Sequence, residues 1–410
     1  MLEPTPKVPE PEPACCIVGG GPGGMMLALL LARRGVPVTL LEAHRDFDRD
    51  FRGDTIHPST LEALDQIGLA EPLLRLPHGR LDAIRIHSAS GVVTVAEFHR
   101  LRTPFPFITI LPQVRFLEFL ADEARRYPNF TLLMGAAARE LILDEGVVRG
   151  VRYFDTDERA HEIRARLTIG ADGRFSKVRA LAGAVPIRAS PPIDVLWFRL
   201  PREPGDARDQ VNFYADGGRF VFFLDRGPEW QVGYAIVKGT FAEMKSLGIA
   251  ALRGDLARLA PWAAERSAVL RDWSQVQVLS VESSRVPVWH RPGLLLIGDA
   301  AHVMSPVGGV GINVAIQDAI EAANVLAAPL LTGSVTDANL AEVQRRRGPA
   351  VRTIQRYQAY IQDRVVRSAL DSSRPFRLPW IVRFILHVPW VRDWPARLIA
   401  FGPRRVRIET

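Results

Sequence analysis

Apolar and polar positions along this chain fall into three kinds of pattern. Short, largely apolar runs at 15–18, 36–41, 167–170 and 294–297 read as strands buried on both faces, which is how a parallel sheet is written in sequence. Each run stops at small or acidic residues: Gly19, Glu42, the segment Gly170-Ala171-Asp172-Gly173, and Gly298-Asp299. Between the last two, Val195–Leu200, Val211–Ala215, Phe220–Leu224 and Gln231–Val237 alternate apolar and polar positions and are separated by Gly, Asp and Pro. They predict an antiparallel meander. Helical periodicity follows the first glycine cluster, returns over Ala250–Ala264 and dominates after Gly311. The order predicts an α/β protein whose parallel domain is interrupted by a β-rich insertion and closed by helices.

The chemistry sits where the strands end. Ala14–His44 contains strand, Gly19-x-Gly21-x-x-Gly24, a Leu/Ala-rich helix, and a second strand ending in Glu42. In that setting Gly19 permits the tight turn and Gly21 lets backbone approach a pyrophosphate. Gly24 allows close helix–strand packing, and Glu42 is placed to accept from a ribose. Leu294–Ala319 repeats the theme: a strand ending at Gly298-Asp299, a glycine-rich turn from Pro306 to Gly311, and a long helix whose N-terminal N–H groups face whatever lies above the sheet. Asp172-Gly173, followed by Ser176, Lys177 and Arg179, is a third polar strand end of the kind that contacts phosphate or ribose. The pattern therefore predicts a Rossmann-like dinucleotide domain over 14–80, 111–185 and 281–330. The β-rich insertion is expected over 81–110 and 186–280, and a helical region over 331–410.

Composition narrows the picture further. The chain has 410 residues, 24% charged and 47% hydrophobic, an ordinary globular balance. Residues 1–13, rich in Pro and Glu, read as a disordered leader without the apolar core of a signal peptide, which points to a cytoplasmic protein. Cys15 and Cys16 are the only cysteines, adjacent on one strand with side chains on opposite faces, so neither a disulfide framework nor a cysteine metal site follows. From Arg345 to Thr410 there are fifteen Arg, no Lys and four acids, against +7 for the whole chain. Over 378–408 the arginines are mixed with apolar residues, and Pro379, Pro389 and Pro395 divide the stretch into short helices. That suits helices packing on the body with arginines snorkelling outward. It also suits peripheral membrane contact, and it fits nucleic acid poorly. No uncharged run approaches the ~20 residues needed to span a bilayer.

Taken together, the three strand-end segments resemble the class A flavin-dependent monooxygenases, the aromatic hydroxylases of the para-hydroxybenzoate hydroxylase fold. The resemblance covers most of residues 14–330. The glycine fingerprint is shared with many flavoproteins, whereas Asp172-Gly173 and the run Gly298-Asp299…Pro306-x-Gly-Gly-x-Gly311-x-Asn313 are more specific to this family. Arg52 and Gln113 match further family positions. The resemblance implies FAD held non-covalently by Gly19, Gly21, Pro22, Gly24, Glu42, Ala43, Arg52, Gln113, Asp172, Gly173, Asp299, Pro306, Gly309, Gly311, Ile312 and Asn313. Glu42 would lie on the adenosine ribose, Arg52 near the pyrophosphate and Asp299 on the ribityl chain. Backbone N–H groups of 311–313 would face the pyrimidine edge of the ring. NAD(P)H would dock transiently, since no second glycine fingerprint is present. Dioxygen would react through a flavin hydroperoxide, and an aromatic or polyketide-like molecule would be hydroxylated. The cofactor carries the chemistry, so no catalytic side chain and no metal is expected.

Two other readings use the same residues: a reductase or cyclase acting on a prenyl or other lipophilic substrate, and a flavin-binding protein without turnover. Halogenation fits less well, because the Trp-x-Trp-x-Ile pattern of that branch is missing. His302 and His57 read as loop packing, and Met25 and Met26 as core. Of the insertion aromatics Phe213, Tyr214, Phe220, Phe222, Phe223 and Tyr234, about half should be core and half pocket. Phe213, Phe222 and Tyr234 are the candidates for the substrate pocket.

Overall fold

The computed structural model describes residues 13–48, 53–88, 91–203, 205–206, 210–371, 376, 384, 388 and 392–409. Arg52, nearly all of the leader and most of 372–391 lie outside the described residues.

The chain opens with β1 (Cys15–Val18), α1 (Pro22–Arg33) and β2 (Val38–Glu42), the expected strand–glycine loop–helix–strand unit. Helix α2 (Pro58–Asp65) precedes an excursion into β3 (Ala83–Ser88) and β4 (Gly91–Glu97). The chain then returns through α3 (Gln113–Arg125), β5 (Phe130–Met134), β6 (Leu167–Gly170) and the short α4 (Lys177–Leu181). It leaves again for β7 (Ile193–Pro201), β8 (Gln210–Asp216), β9 (Arg219–Asp225), β10 (Glu229–Val237), α5 (Ile249–Leu259) and β11 (Gln277–Ser280). The final passage contains β12 (His290–Arg291), β13 (Leu294–Leu296), α6 (Gly311–Thr332), α7 (Asp337–Ile361) and α8 (Trp394–Phe401).

Two sheets organise these elements. The first has the order β12-β13-β6-β1-β2-β5 and is parallel except for the edge strand β12. All four residues of β1 and of β6 are buried, as a sheet covered on both faces requires. Helices α1 and α6 pack together, both largely apolar and interior. The stretch Val307–Thr332 is long and apolar enough to cross a membrane, but 67% of its most apolar window is buried within the fold.

The second sheet has the order β11-β7-β10-β9-β8-β3-β4. Its pairs are antiparallel with one exception, β8 beside β3, where Gln210–Tyr214 run parallel to Ala83–His87. That joint merges the two excursions into one surface. Alternation then gives the surface two faces. Leu196, Phe198, Val221, Phe223, Val232 and Tyr234 form a core with Leu252 and Leu256 of α5. Val195, Trp197, Phe213, Phe220 and Phe222 look the other way and pack against the end of α7 and the turn after it.

Candidate active site

One continuous cavity of about 1320 Å³ runs from the glycine loop after β1 to the second sheet. At the glycine-loop end, Gly19 takes φ +108°, and a Cβ there would lie 2.4 Å from the Ala171 carbonyl oxygen. A Cβ on Gly24 would lie 2.0 Å from the Gly19 carbonyl oxygen. Gly24 thus sits beneath the loop as a packing residue, while Gly19, Gly21 and Pro22 line the cavity. The Glu42 carboxylate is nearly buried. Its Oε2 accepts from the Gly20 N–H at 2.9 Å, and its Oε1 accepts from the His44 N–H at 3.0 Å and lies 2.7 Å from His44 Nδ1. Glu42 therefore fixes the loop as well as lining the cavity beside Ala43.

The other two strand ends are bound to each other. Asp172 and Gly173 line the cavity, yet the Asp172 carboxylate accepts from the Ser176 hydroxyl and from the Val178 N–H at 3.0 Å, capping α4. Burial raises its pKa. Arg179, grouped by sequence with phosphate or ribose contacts, instead turns inward. Its guanidinium donates to the carbonyls of Asp299 (3.2 Å), Ala300 (3.1 Å) and Arg174 (2.9 Å). A strand-end turn leaves carbonyls without partners, and a guanidinium with five N–H donors can serve several at once.

Asp299 lines the cavity within the turn Gly298–Ala300. That turn rests on Asp318, a fully buried acid on α6. Asp318 Oδ2 accepts from the Gly298 N–H (3.0 Å) and meets His302 Nε2 at 2.6 Å, while Oδ1 accepts from Arg347 Nε at 2.7 Å. Burial works to raise the Asp318 pKa, but His302 and Arg347 outweigh it and hold the carboxyl below its usual range. His302 is thus a support of the turn.

Pro306, Gly309, Gly311 and Ile312 line the cavity. The Asn313 side chain points away from it. Its Oδ1 accepts from the His57 N–H and the Thr60 hydroxyl, both at 2.8 Å, and its Nδ2 donates to the Thr55 carbonyl at 3.1 Å. Three glutamines of α7 and the turn after it, Gln355, Gln358 and Gln362, hold the same loop from behind. Gln355 donates to the Ser284 and Val303 carbonyls, Gln358 to those of Ser305 and Val307, and Gln362 to the Ser305 hydroxyl. Their i, i+3, i+7 spacing puts them on one helix face, a signal visible in the sequence.

Gln113 lines the cavity, and its N–H donates to Asp54 Oδ1 at 3.2 Å. Asp54, which no sequence motif marked, lies 2.8 Å from Arg226 Nε at the tip of the second sheet. Burial pushes its pKa up to about 6 against the opposing pull of Arg226. His57 is fully enclosed; its Nδ1–H donates to the Ile399 carbonyl at 2.8 Å, and burial lowers its pKa to about 4.

The far end of the cavity is apolar. Phe213, Phe220, Phe222 and Trp197 line it, with Ile84, Ile86 and Val195. Tyr234 does not. The register pairs Phe222 with Gly233 and puts Tyr234 opposite Val221, on the other face. Its hydroxyl donates to Asp255 at 2.9 Å beneath α5. The face of each strand depends on this pairing, which alternation within one strand does not reveal.

Helices α1 and α6 both begin at the cavity, at Pro22 and Gly311, and neither N-terminus is capped by a side chain. Two sets of N–H donors without a side-chain cap among the described residues, each at the positive end of a helix, suit a long ligand with an anionic centre and an electron-rich ring. The FAD binding domain family model matches residues 12–357. The chain belongs to the class A flavin-dependent monooxygenases. Its cofactor is FAD, and the uncapped helix starts and open glycine loop fit that molecule. This monooxygenase is 33% identical over 398 residues to 6-methylpretetramide 4-monooxygenase of Streptomyces rimosus, covering 96% of this chain and 94% of that protein. It is 26% identical to protoasukamycin 4-monooxygenase of Streptomyces nodosus subsp. asukaensis, covering 85% and 87%. Among solved structures, p-nitrophenol 4-monooxygenase PnpA from Pseudomonas putida superposes with a TM-score of 0.73 at 22% identity, over 96% of this chain and 99% of that one.

Proposed function

We propose that this monooxygenase hydroxylates a polycyclic aromatic molecule of polyketide type, with NAD(P)H as electron donor. In the overall reaction substrate, dioxygen, NAD(P)H and a proton give hydroxylated substrate, water and NAD(P)+. The observation that carries the reading is the cavity itself: its cofactor end opens directly onto a wall of Trp197, Phe213, Phe220 and Phe222, wide and apolar enough for fused rings. The 33% identical relative is named as a 4-monooxygenase of 6-methylpretetramide.

In this reading Glu42 and Asp299 accept from hydroxyls at the two ends of the cofactor, and the α1 N-terminus faces its pyrophosphate. The start of α6 presents backbone N–H groups to the ring, where they favour negative charge on the reduced form. Bound FAD supplies the electron transfer and the activation of oxygen. The protein orients the substrate, keeps water out with the aromatic wall, and holds the loop at 298–312 through Asp318, Arg179 and the three glutamines. NAD(P)H docks transiently on the FAD domain. We place the enzyme in the cytoplasm, with the end of the basic region packed on the body. Arg405 there pairs with Glu62 at 3.0 Å and lies over the Phe401 ring.

The test is NAD(P)H oxidation under air with a panel of phenols and hydroxylated polycycles. Substrate-stimulated oxidation with hydroxylated product supports the proposal. Oxidation that no aromatic compound stimulates counts against it.

A further inference from the structure

Helix α7 has two working faces. The glutamine face grips the loop at 303–307. A neighbouring face, carrying Arg356, Tyr357, Tyr360 and Ile361, lines the cavity. Past its end a π-helical turn, Gln362–Val366, brings Val365 and Val366 onto the same wall. Such turns widen a helix and redirect its side chains, and they are common at functional sites. Ile361, Val365 and Val366 pack with Trp197, Phe213 and Phe222 of the second sheet, so this face belongs to the apolar end of the cavity. From the other side α8 contributes Trp394, Pro395 and Ile399. The Tyr357 and Trp394 rings meet edge to face, with centroids 5.5 Å apart.

Arg356, Tyr357 and Tyr360 on this wall are polar groups without a polar partner among the described residues. Arg345, Arg346 and Arg347, earlier on the same helix, are all ion-paired, to Glu342, Glu321 and Asp318 among others. Among the described residues, Arg356 has no acidic partner and Tyr357 has no hydrogen-bond partner. Glu42, Asp172 and Asp299, which also line the cavity, lie at the strand ends and turns of the glycine-loop end. Trp197 Nε1 and Gln231 Oε1 are also without partners in the same cavity; both residues are buried in the second sheet, whereas Arg356 is exposed and Tyr357 half-buried. A cation and a hydroxyl donor at the edge of an apolar chamber have one chemical complement: an acidic oxygen on an otherwise hydrophobic ring system.

We propose that Arg356 and Tyr357 form the specificity subsite of this enzyme, taking a phenolate, enolate or carboxylate oxygen at the outer end of the substrate while its rings lie against the second sheet. This rests on the aromatic-substrate reading above and adds to it which end of the molecule stays near α7. Burial raises the Tyr357 pKa to about 12, so the hydroxyl stays protonated and donates. Arg356 supplies the charge. Among the described residues neither group hydrogen-bonds to the loop at 298–312, so the subsite selects and orients the substrate without holding the cofactor.

The test uses the FAD-loaded enzyme and three probes: naphthalene, 1-naphthol and 1-hydroxy-2-naphthoate. Binding is read from tryptophan fluorescence and from perturbation of the flavin spectrum. Wild type should bind the hydroxynaphthoate most tightly. Arg356→Gln should weaken the hydroxynaphthoate by about tenfold to a hundredfold, the usual range for a charge-assisted hydrogen bond, and leave naphthalene within twofold. Arg356→Lys should restore part of that loss. Tyr357→Phe should weaken both hydroxylated probes and spare naphthalene. If wild type binds the probes and neither variant changes their order, the subsite is wrong while the aromatic-substrate reading stands. If wild type binds none of them, both fall.

Discussion

His302 Nε2 lies 2.6 Å from Asp318 Oδ2, and the two side chains are 1% and 0% exposed. The same carboxylate holds Arg347 and the N–H of Gly298, so one acid on α6 anchors the turn that carries Asp299. Asp318→Asn would keep the shape and remove the charge, leaving the Arg347 guanidinium buried without a counterion. Breaking a buried pair in this way costs about 3–5 kcal/mol. Urea unfolding should show a loss of that order, with weaker FAD retention. Wild-type stability in the Asn variant would mean that the network does not bear on the turn.

Asp299→Ala should lower FAD affinity by about tenfold to a hundredfold, the loss expected for a charge-assisted hydrogen bond. The fold should change little, since the Arg179 contacts in this turn go to backbone carbonyls. Glu42→Ala should reduce both affinity and stability, because Glu42 also accepts from the Gly20 N–H, and an orphaned buried donor costs roughly 1–3 kcal/mol. Titration of the apoprotein with FAD, beside thermal melts, separates the two effects. Equal FAD affinity in wild type and Asp299→Ala would remove Asp299 from the cofactor site.

His57 gives the protein a pH signature. Its folded pKa is lowered to about 4, against about 6.5 in the unfolded chain. Between these values the unfolded state binds a proton that the folded state does not. The stabilisation by neutral His57 is therefore complete above pH 6.5 and is lost as pH falls towards 4, by roughly 3 kcal/mol in all. His57→Gln, which cannot titrate, should show a flatter dependence of unfolding free energy on pH across this window. Parallel slopes for the two proteins would contradict the assignment.

The two faces of the second sheet predict opposite outcomes for two aromatic residues. Phe222→Ala enlarges the apolar end of the cavity, the proposed substrate chamber, and should raise KM for ring substrates. Tyr234→Phe removes only the hydrogen bond to Asp255. It should cost about 1 kcal/mol of stability with KM unchanged. Steady-state kinetics and melts on both variants check this. An altered KM in Tyr234→Phe would place that residue in the pocket after all.

The parts of the site legible in the sequence were those set by local backbone demands. Gly19 and Gly24 are required by the turn and by close packing, and the acids at strand ends follow directly from the apolar runs before them. What sequence did not reveal depends on partners far along the chain. Asp54 meets Arg226 only when the second sheet folds over the first. Tyr234 falls on the wrong face because a register, not a pattern, decides it. Arg179 looks like a phosphate ligand until the carbonyls of Asp299 and Ala300 claim it. Asp318 reads as one polar residue in an apolar helix, and its meaning lies in His302 and Arg347.

The most direct test of the central claim is isotopic. With the substrate found in the oxidation screen, NAD(P)H and 18O2, the hydroxylated product should carry one 18O atom and the protein should require FAD. Product that takes its oxygen from water, or NAD(P)H oxidation yielding only hydrogen peroxide with every aromatic compound tried, would contradict the account.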